Sequence, residues 1–382
     1  MTRLAFIGRD GQVSVVDGGR SRPVTFGHQA AVPWSRGGAR PERCAWPTFS
    51  PDGERLAVIR VEGSDAPGPG RVEVHAVAGV EGEVVFAEPD AVPLHASWSP
   101  GGTHLSVICQ VEDRLELWVA GSDGPAARLV EEGVPLFASW LGDGRRLVVH
   151  VGSDDQRPGR LVVRDPIGTE EDRVFPHPGG SFCTPHAVGG RVVSVTTRDG
   201  ASAVLSTDEA GLGAHELWRG RGLVAVVPIP GDAAVAVAAA DTRSGGAYGD
   251  VWRVPLDGSP SSRIAMGPVH AFVPVSSDAV AVARLEPARR LVAWTLHGGG
   301  GSLALGRVRP TADQAFHLQF FEQLSRSHPL SDGDLLLQGV IGDLGPEVIG
   351  LDLQEPGRIH SVGEGSYGVM AHEGMPPEFP CP

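Results

Sequence analysis

The stretch PTFSPDGERLAVIRV, Pro47 to Val61, reads as a strand, a tight turn and a second strand. Proline presets φ at the second turn position, Asp52 can bond back to nearby backbone, and Gly53 suits a site that needs φ above zero. The run RLAVI that follows is apolar and β-branched, as a buried strand requires. The question it raises is whether the hairpin stands alone or is one copy of a repeat.

It is a repeat. HASWSPGGTHLSVI, His95 to Ile108, places Trp98 where Phe49 stands and Ser99-Pro100 where Ser50-Pro51 stand, and FASWLGDGRRLVVHV, Phe137 to Val151, repeats the pattern with Trp140. Weaker copies follow in TPHAVGGRVVSV, VVPIPGDAAVAVA, FVPVSSDAVAVARL and SHPLSDGDLLLQGV. Two further strand-like runs follow each strong hairpin, RVEVHAV and GEVVFAE after the first, RLELWVA and AARLVEE after the second. The unit is therefore a four-stranded antiparallel meander, strands A to D, recurring roughly every 40 to 50 residues, the period of a propeller blade.

The ends supply one more copy. RLAFIG, QVSVVD and RPVTF near the N-terminus read as strands B, C and D with no A before them, and GSYGVMAHEG, Gly365 to Gly374, reads as an A with no B after it. Pairing them would close the ring and remove two open edges. The expectation is an all-β fold, a single β-propeller domain over residues 1–382, with eight four-stranded blades and seven as the alternative.

These residues resemble the TolB-like, or WD40-like, β-propeller repeat family, whose repeat is a tryptophan or phenylalanine, then Ser-Pro-Asp-Gly, then an apolar strand. The first copy matches fully and the second lacks only the Asp. The resemblance implies a binding platform; the hydrolase domains and periplasmic partners of some members have no counterpart in this sequence.

Composition narrows the chemistry. All 32 cationic side chains are arginine, which excludes a lysine nucleophile, a Schiff base and a phosphate-loop lysine. A net charge of −14 opposes nucleic acid and anionic membrane surfaces as partners. The N-terminal apolar run, Leu4 to Ile7, is too short for a signal-peptide core, so the expected compartment is the cytoplasm. Cys44, Cys109, Cys183 and Cys381 are widely spaced and read as structural thiols. No cofactor and no metal are expected.

Loop length singles out one face. The A to B and C to D connections are short, whereas the D to A and B to C connections include the long stretches Gly27 to Arg43, Glu62 to Gly70, Gly152 to Gly159, Asp241 to Gly249 and Arg307 to Leu324. Varied loops on a rigid scaffold are where binding residues gather. The first carries His28, Trp34, Arg36, Arg40 and Arg43, an arginine-rich set suited to an acidic group; the plainer reading is a solvated loop. Asp155, Arg157 and Tyr248 come from the third and fourth. The last contributes Phe316 and Phe320, at spacings that fit a short helical insert over 311–325, with a long A strand as the alternative.

Three other patterns lead away from catalysis. EGSYG, Glu364 to Gly368, resembles a serine-hydrolase turn but lacks the first glycine, and too little sequence follows it. SDD, Ser153 to Asp155, lacks the remainder of a calcium loop. His95, His186 and His270 are candidates to line the central channel, with His328 and His372 also near A strands, but strand alternation prevents all from pointing inward. The expected function is a non-catalytic platform for a protein or peptide, acidic in character. The alternative is a small-molecule enzyme or ligand-binding propeller with its site at the channel mouth.

Overall fold

The computed structural model describes residues 3–26, 42–62, 69–79, 81–124, 126–152, 159–168, 170–180, 183–240, 248–309, 334–339, 347–355 and 357–370. The chain divides into two compact units, one comprising Met1–Glu132, Ser327–Gly350 and His360–Pro377, the other Gly133–Arg326, Leu351–Ile359 and Glu378–Pro382.

In the first unit, blade I contains strands Glu42–Phe49, Arg55–Glu62, Gly70–Ala76 and Gly82–Ala87, and blade II contains Val92–Trp98, His104–Val111, Arg114–Gly121 and Ala127–Gly133. The second unit holds blade III (Leu136–Trp140, Leu147–Val151, Arg160–Arg164, Arg173–Val174) and blade IV (His186–Val188, Arg191–Arg198, Ala201–Asp208, His215–Arg221). It also holds blade V (Val224–Pro228, Ala234–Ala239, Val251–Pro255, Ser262–Ala265) and blade VI (Ala271–Ser276, Ala279–Glu286, Leu291–Gly298, Gly301–Val308). Every one is an antiparallel meander.

The hairpin turns explain why the repeat is legible. Ser50 O accepts the Gly53 N–H at 2.8 Å, Ser99 O that of Gly102 at 2.8 Å and Leu141 O that of Gly144 at 3.0 Å. The three glycines share φ near +70° (+70°, +68° and +68°), a region that costs other residues energy. Strands B are buried on both faces by neighbouring blades, which is why they read as unbroken apolar runs: every residue of Leu147–Val151 is buried. Val58 and Leu56 pack with Ala5, Ile7, Val13 and Val15 on one side of blade I, while Ala57 and Ile59 pack with Leu105 and Val107 on the other.

The closing sheet corrects the expected blade count. Seven sheets form among the described residues, not eight, because Gly365 to Met370, part of the run read as the last A, continues the strand Ile359–Met370 that also pairs with Glu347–Asp352. It lies in a six-stranded sheet, ordered Asp334–Gly339, Glu347–Asp352, Ile359–Met370, Leu4–Gly8, Val13–Asp17, Arg20–Pro23. The pairing of the two ends of the chain is as expected, with Leu4 opposite Met370, Ala5 opposite Val369, Ile7 opposite Ser366 and Gly8 opposite Gly365. EGSYG is thus part of the closing strand. The helical insert expected over 311–325 lies outside the described residues, whose only helix is the short 3-10 turn Pro287–Arg289.

Candidate functional site

The strand bounds preserve the asymmetry of the loops. Pro23 to Glu42, Val151 to Arg160 and Ala239 to Val251 are long B to C or D to A passages, while A to B turns such as Phe49 to Arg55 stay tight. His28, Trp34, Arg36, Arg40, Asp155, Arg157, Phe316, Phe320, His328 and His372 lie outside the described residues. Of the candidates, Arg43, His95, His186, Tyr248 and His270 are described.

Tyr248 and His270 come together at the B to C and D to A end of blades V and VI. The Tyr248 backbone bridges Ala240 on one side and Val269 on the other, with Tyr248 N donating to Val269 O at 2.7 Å and Val269 N donating to Tyr248 O at 2.9 Å. Ala240 N continues the seam to Leu223 O at 2.6 Å. The Tyr248 ring meets Phe272 edge-on, 5.9 Å between centroids. Beside it, a Cβ on Gly267 would lie 2.5 Å from the Gly249 carbonyl carbon, so both loops approach backbone to backbone.

This seam carries large apolar side chains into solvent. Leu223 is 55% exposed, Met266 61% and Leu285 45%. Arg284, which precedes Leu285 in strand Ala279–Glu286, donates from Nη2 to Met266 O at 2.6 Å, and its Nη1 meets His297 Nε2 at 3.2 Å. Leu285 N donates to His270 Nδ1 at 3.2 Å. Burial, followed by the nearby Arg284 charge, pushes His270 and His297 below the ordinary histidine range, so both are neutral at pH 7. Burial likewise lowers the Arg284 pKa, and among the described residues Arg284 has no carboxylate partner.

The surroundings are cationic. Residues 284–309 hold five arginines and one carboxylate, in a chain whose net charge is −14. The carboxylate, Glu286, is engaged by Arg307 Nε at 2.9 Å and Arg289 Nη1 at 3.4 Å. Arg290 caps the turn Pro287–Arg289 with φ +54° and is exposed, as is Arg309 beyond the last strand. Sequence reading passed over this set because its loops are short; the signal that could have found it is the run RLEPARR, Arg284 to Arg290, against an acidic background.

The other described candidates sit elsewhere. His95 is buried under the Trp46 ring, with centroids 5.0 Å apart. Trp46 is presented by an irregularity between Ala45 and Thr48 at which its own φ is +48°. His186 Nε2 lies 3.0 Å from Val226 O. Each of the three histidines thus contacts a different partner. Arg43 is exposed on strand Glu42–Phe49 beside Gly11, where an added Cβ would meet its side chain at 3.4 Å.

Blade I also holds an ion network, shielded from solvent, that the sequence shows only as charges interrupting apolar strands. Arg60 Nε donates to Glu73 Oε2 at 2.6 Å, Arg71 Nε to Glu73 Oε1 at 2.8 Å, and Arg71 Nη1 to Glu42 Oε1 at 2.8 Å. His75 Nε2 adds a contact to Glu73 Oε2 at 3.1 Å. Although burial acts to raise it, the bonds from His75, Arg60 and Arg71 hold the Glu73 carboxyl down at about 2. A depressed carboxylate stabilises the fold above its unfolded pKa, and that stability is lost as pH falls from about 4.5 to about 2. Wild type is expected to lose about 2–3 kcal/mol across that window relative to Glu73→Gln, whose stability changes less there. Urea unfolding of both proteins at several acidic pH values checks this; parallel pH profiles would refute the assignment.

Among the described residues no cluster of His, Cys, Asp and Glu is arranged to hold a metal ion, and no helix is long and apolar enough to cross a membrane. No family model matches the chain, and no curated protein matches it. Among solved structures it is similar to the β-propeller domain of the Trilobed protease from Pyrococcus furiosus, at 11% identity and TM-score 0.51 over 84% of this chain and 97% of that one. It is also similar to apo prolyl oligopeptidase B from Galerina marginata, at 11% identity and TM-score 0.55, covering 88% of this chain and 52% of that one. A fainter likeness is to TolB from Acinetobacter baumannii, at 12% identity and TM-score 0.41 over 79% and 63% of the two chains. The first two establish the fold: this is a β-propeller. The Pyrococcus propeller is described as having an open velcro topology; here strand Leu4–Gly8 pairs with Ile359–Met370.

Proposed function

We propose that this chain is a non-catalytic, single-domain propeller of the TolB-like repeat type that binds a protein or peptide through the B to C and D to A end of blades V and VI. The observation that carries the reading is the solvent exposure of Leu223, Met266 and Leu285 at the end of blades V and VI that also holds the Tyr248 backbone seam and the Arg284 contact to Met266. Met, Tyr and Arg are residue types enriched in protein interfaces, and exposed apolar groups held on rigid loops gain from being covered. The cytoplasm suits Cys44, Cys109 and Cys183, which are buried free thiols; burial raises all three, that of Cys183 to about 12, so they are protonated and inert.

The test is selection from a displayed random-peptide library on the immobilised full chain. Enriched peptides are expected to bind wild type with micromolar Kd and to lose at least about tenfold in affinity against Met266→Asp and Leu285→Asp, both of which replace exposed side chains and should melt like wild type. Peptides that bind these variants as well as wild type would move the platform away from this end.

A further inference from the structure

Resting on that reading, the surface can be assigned a partner class. We propose that the end of blade VI recognises an acidic peptide segment carrying apolar side chains, with a carboxylate seated on Arg284 and a neighbouring apolar residue against Met266.

The argument starts from charge. The protein carries −14 overall, so long-range forces disfavour an acidic partner unless a local field reverses them. Blade VI supplies that reversal. Arg284, Arg290 and Arg309 have no carboxylate partner among the described residues, and Arg289 and Arg307 share the single carboxylate of Glu286. Asp250 is spent internally, accepting Gly267 N at 2.9 Å and pairing with Arg263 Nη1 at 3.2 Å.

The second point is the environment of Arg284. A guanidinium has five N–H donors in a fixed fork. In Arg284 one nitrogen is committed to Met266 O and the other terminal nitrogen to a neutral His297 ring, so the group is positioned while its charge remains uncompensated. A half-buried cation of this kind is costly by itself and gains most from an anion that also removes it from water. His270 Nδ1 accepts from Leu285 N and, being neutral, adds no second cation beside Arg284.

The third point selects peptide over a mineral or nucleic phosphate. Met266 stands beside the cation, its backbone O accepting from Arg284, and a simple anion would leave its exposed side chain in solvent. A chain that alternates acidic and apolar side chains covers both at once.

The experiment uses the full-length protein and short fluorescein-labelled peptides alternating Glu and Leu, Gln and Leu, or Lys and Leu, read by fluorescence anisotropy at low and high salt. The Glu-Leu peptide is expected to bind at least about tenfold more tightly than the Gln-Leu peptide at low salt, with the gap narrowing at high salt, and the Lys-Leu peptide least. Arg284→Gln should remove most of that preference. Because Arg284 is half-buried, the double variant Arg290→Gln/Arg309→Gln, confined to exposed side chains, provides an independent check and should weaken Glu-Leu binding and its salt dependence. Equal binding of Glu-Leu and Gln-Leu peptides would overturn the acidic-partner inference and leave the platform standing. No binding of any of the three, together with no enrichment in the library selection, would overturn both. Tighter binding of a duplex oligonucleotide than of the Glu-Leu peptide would overturn the peptide assignment in favour of phosphate recognition.

Discussion

Replacing Gly365 with valine is expected to unseat the closing strand and to cost more than about 4 kcal/mol, among the larger losses a single substitution produces. Gly365 adopts φ +154°, and a Cβ placed on it would lie 1.9 Å from Ile7 O, inside the backbone of the paired strand. Two positions earlier, a Cβ on Gly363 would fall 2.5 Å from the Phe6 ring. Leu4–Gly8 can move aside only by giving up its pairing with Ile359–Met370 and the burial of Phe6 and Ile7. Urea unfolding and size-exclusion chromatography check the result. The variant should unfold at a lower midpoint and elute partly as aggregate, since the separated strands expose two unpaired edges. Gly19→Ala is the control, because that turn glycine has φ +76° and open space around its missing Cβ; its cost should be about 1 kcal/mol. A Gly365→Val protein that unfolds with the wild-type midpoint and stays monomeric would show that the closure is dispensable.

The second large effect concerns a repeat aromatic. Trp98 is 5% exposed and Trp140 1%, with Phe49 at the equivalent position of blade I also buried. Trp98 does more than fill space: its Nε1 donates to Thr48 O in blade I at 3.0 Å, and the Arg55 guanidinium lies 5.0 Å from its ring centroid. Arg55 is in turn held by Gly102 O, at the turn that follows Trp98. Trp98→Ala therefore removes a buried ring, leaves Thr48 O without its donor and frees the arginine that ties the two turns together. The expected loss is about 3–5 kcal/mol by denaturant unfolding. A loss under about 1 kcal/mol accompanied by abolished peptide binding would reassign the tryptophan from packing to recognition.

The hairpins are legible in the chain because each turn carries its own chemistry, and residues such as Gly53, Gly102 and Gly144 report a backbone conformation directly. The blade count is less legible, since nothing in IHSVGEGSYGVM distinguishes a loop between two strands from one strand with an irregularity. The structure accommodates the extra residue opposite Leu4–Gly8, where the register shifts between Ala5 and Ile7. The binding end is the least legible. Long loops attract notice, whereas Met266 and Arg284 stand 18 residues apart in sequence and become neighbours only when strands A and B of blade VI pair. The Arg60 to Glu73 pair behaves similarly: each charge looks misplaced in its apolar strand until the register, which sets Arg60 opposite Arg71 and Glu73 opposite Val58, makes Arg60 and Glu73 diagonal neighbours.

The pairing of Leu4–Gly8 with Ile359–Met370 also sets a timetable for synthesis. Leu4–Gly8 leaves the ribosome about 360 residues ahead of its partner residues, Gly365 to Met370. At roughly 5–20 residues per second, translation takes some 20–70 s to reach them. During that interval one edge of an apolar strand, Leu4, Ala5, Phe6 and Ile7, has no mate, an edge open to mispairing, and a slow ribosome lengthens its exposure.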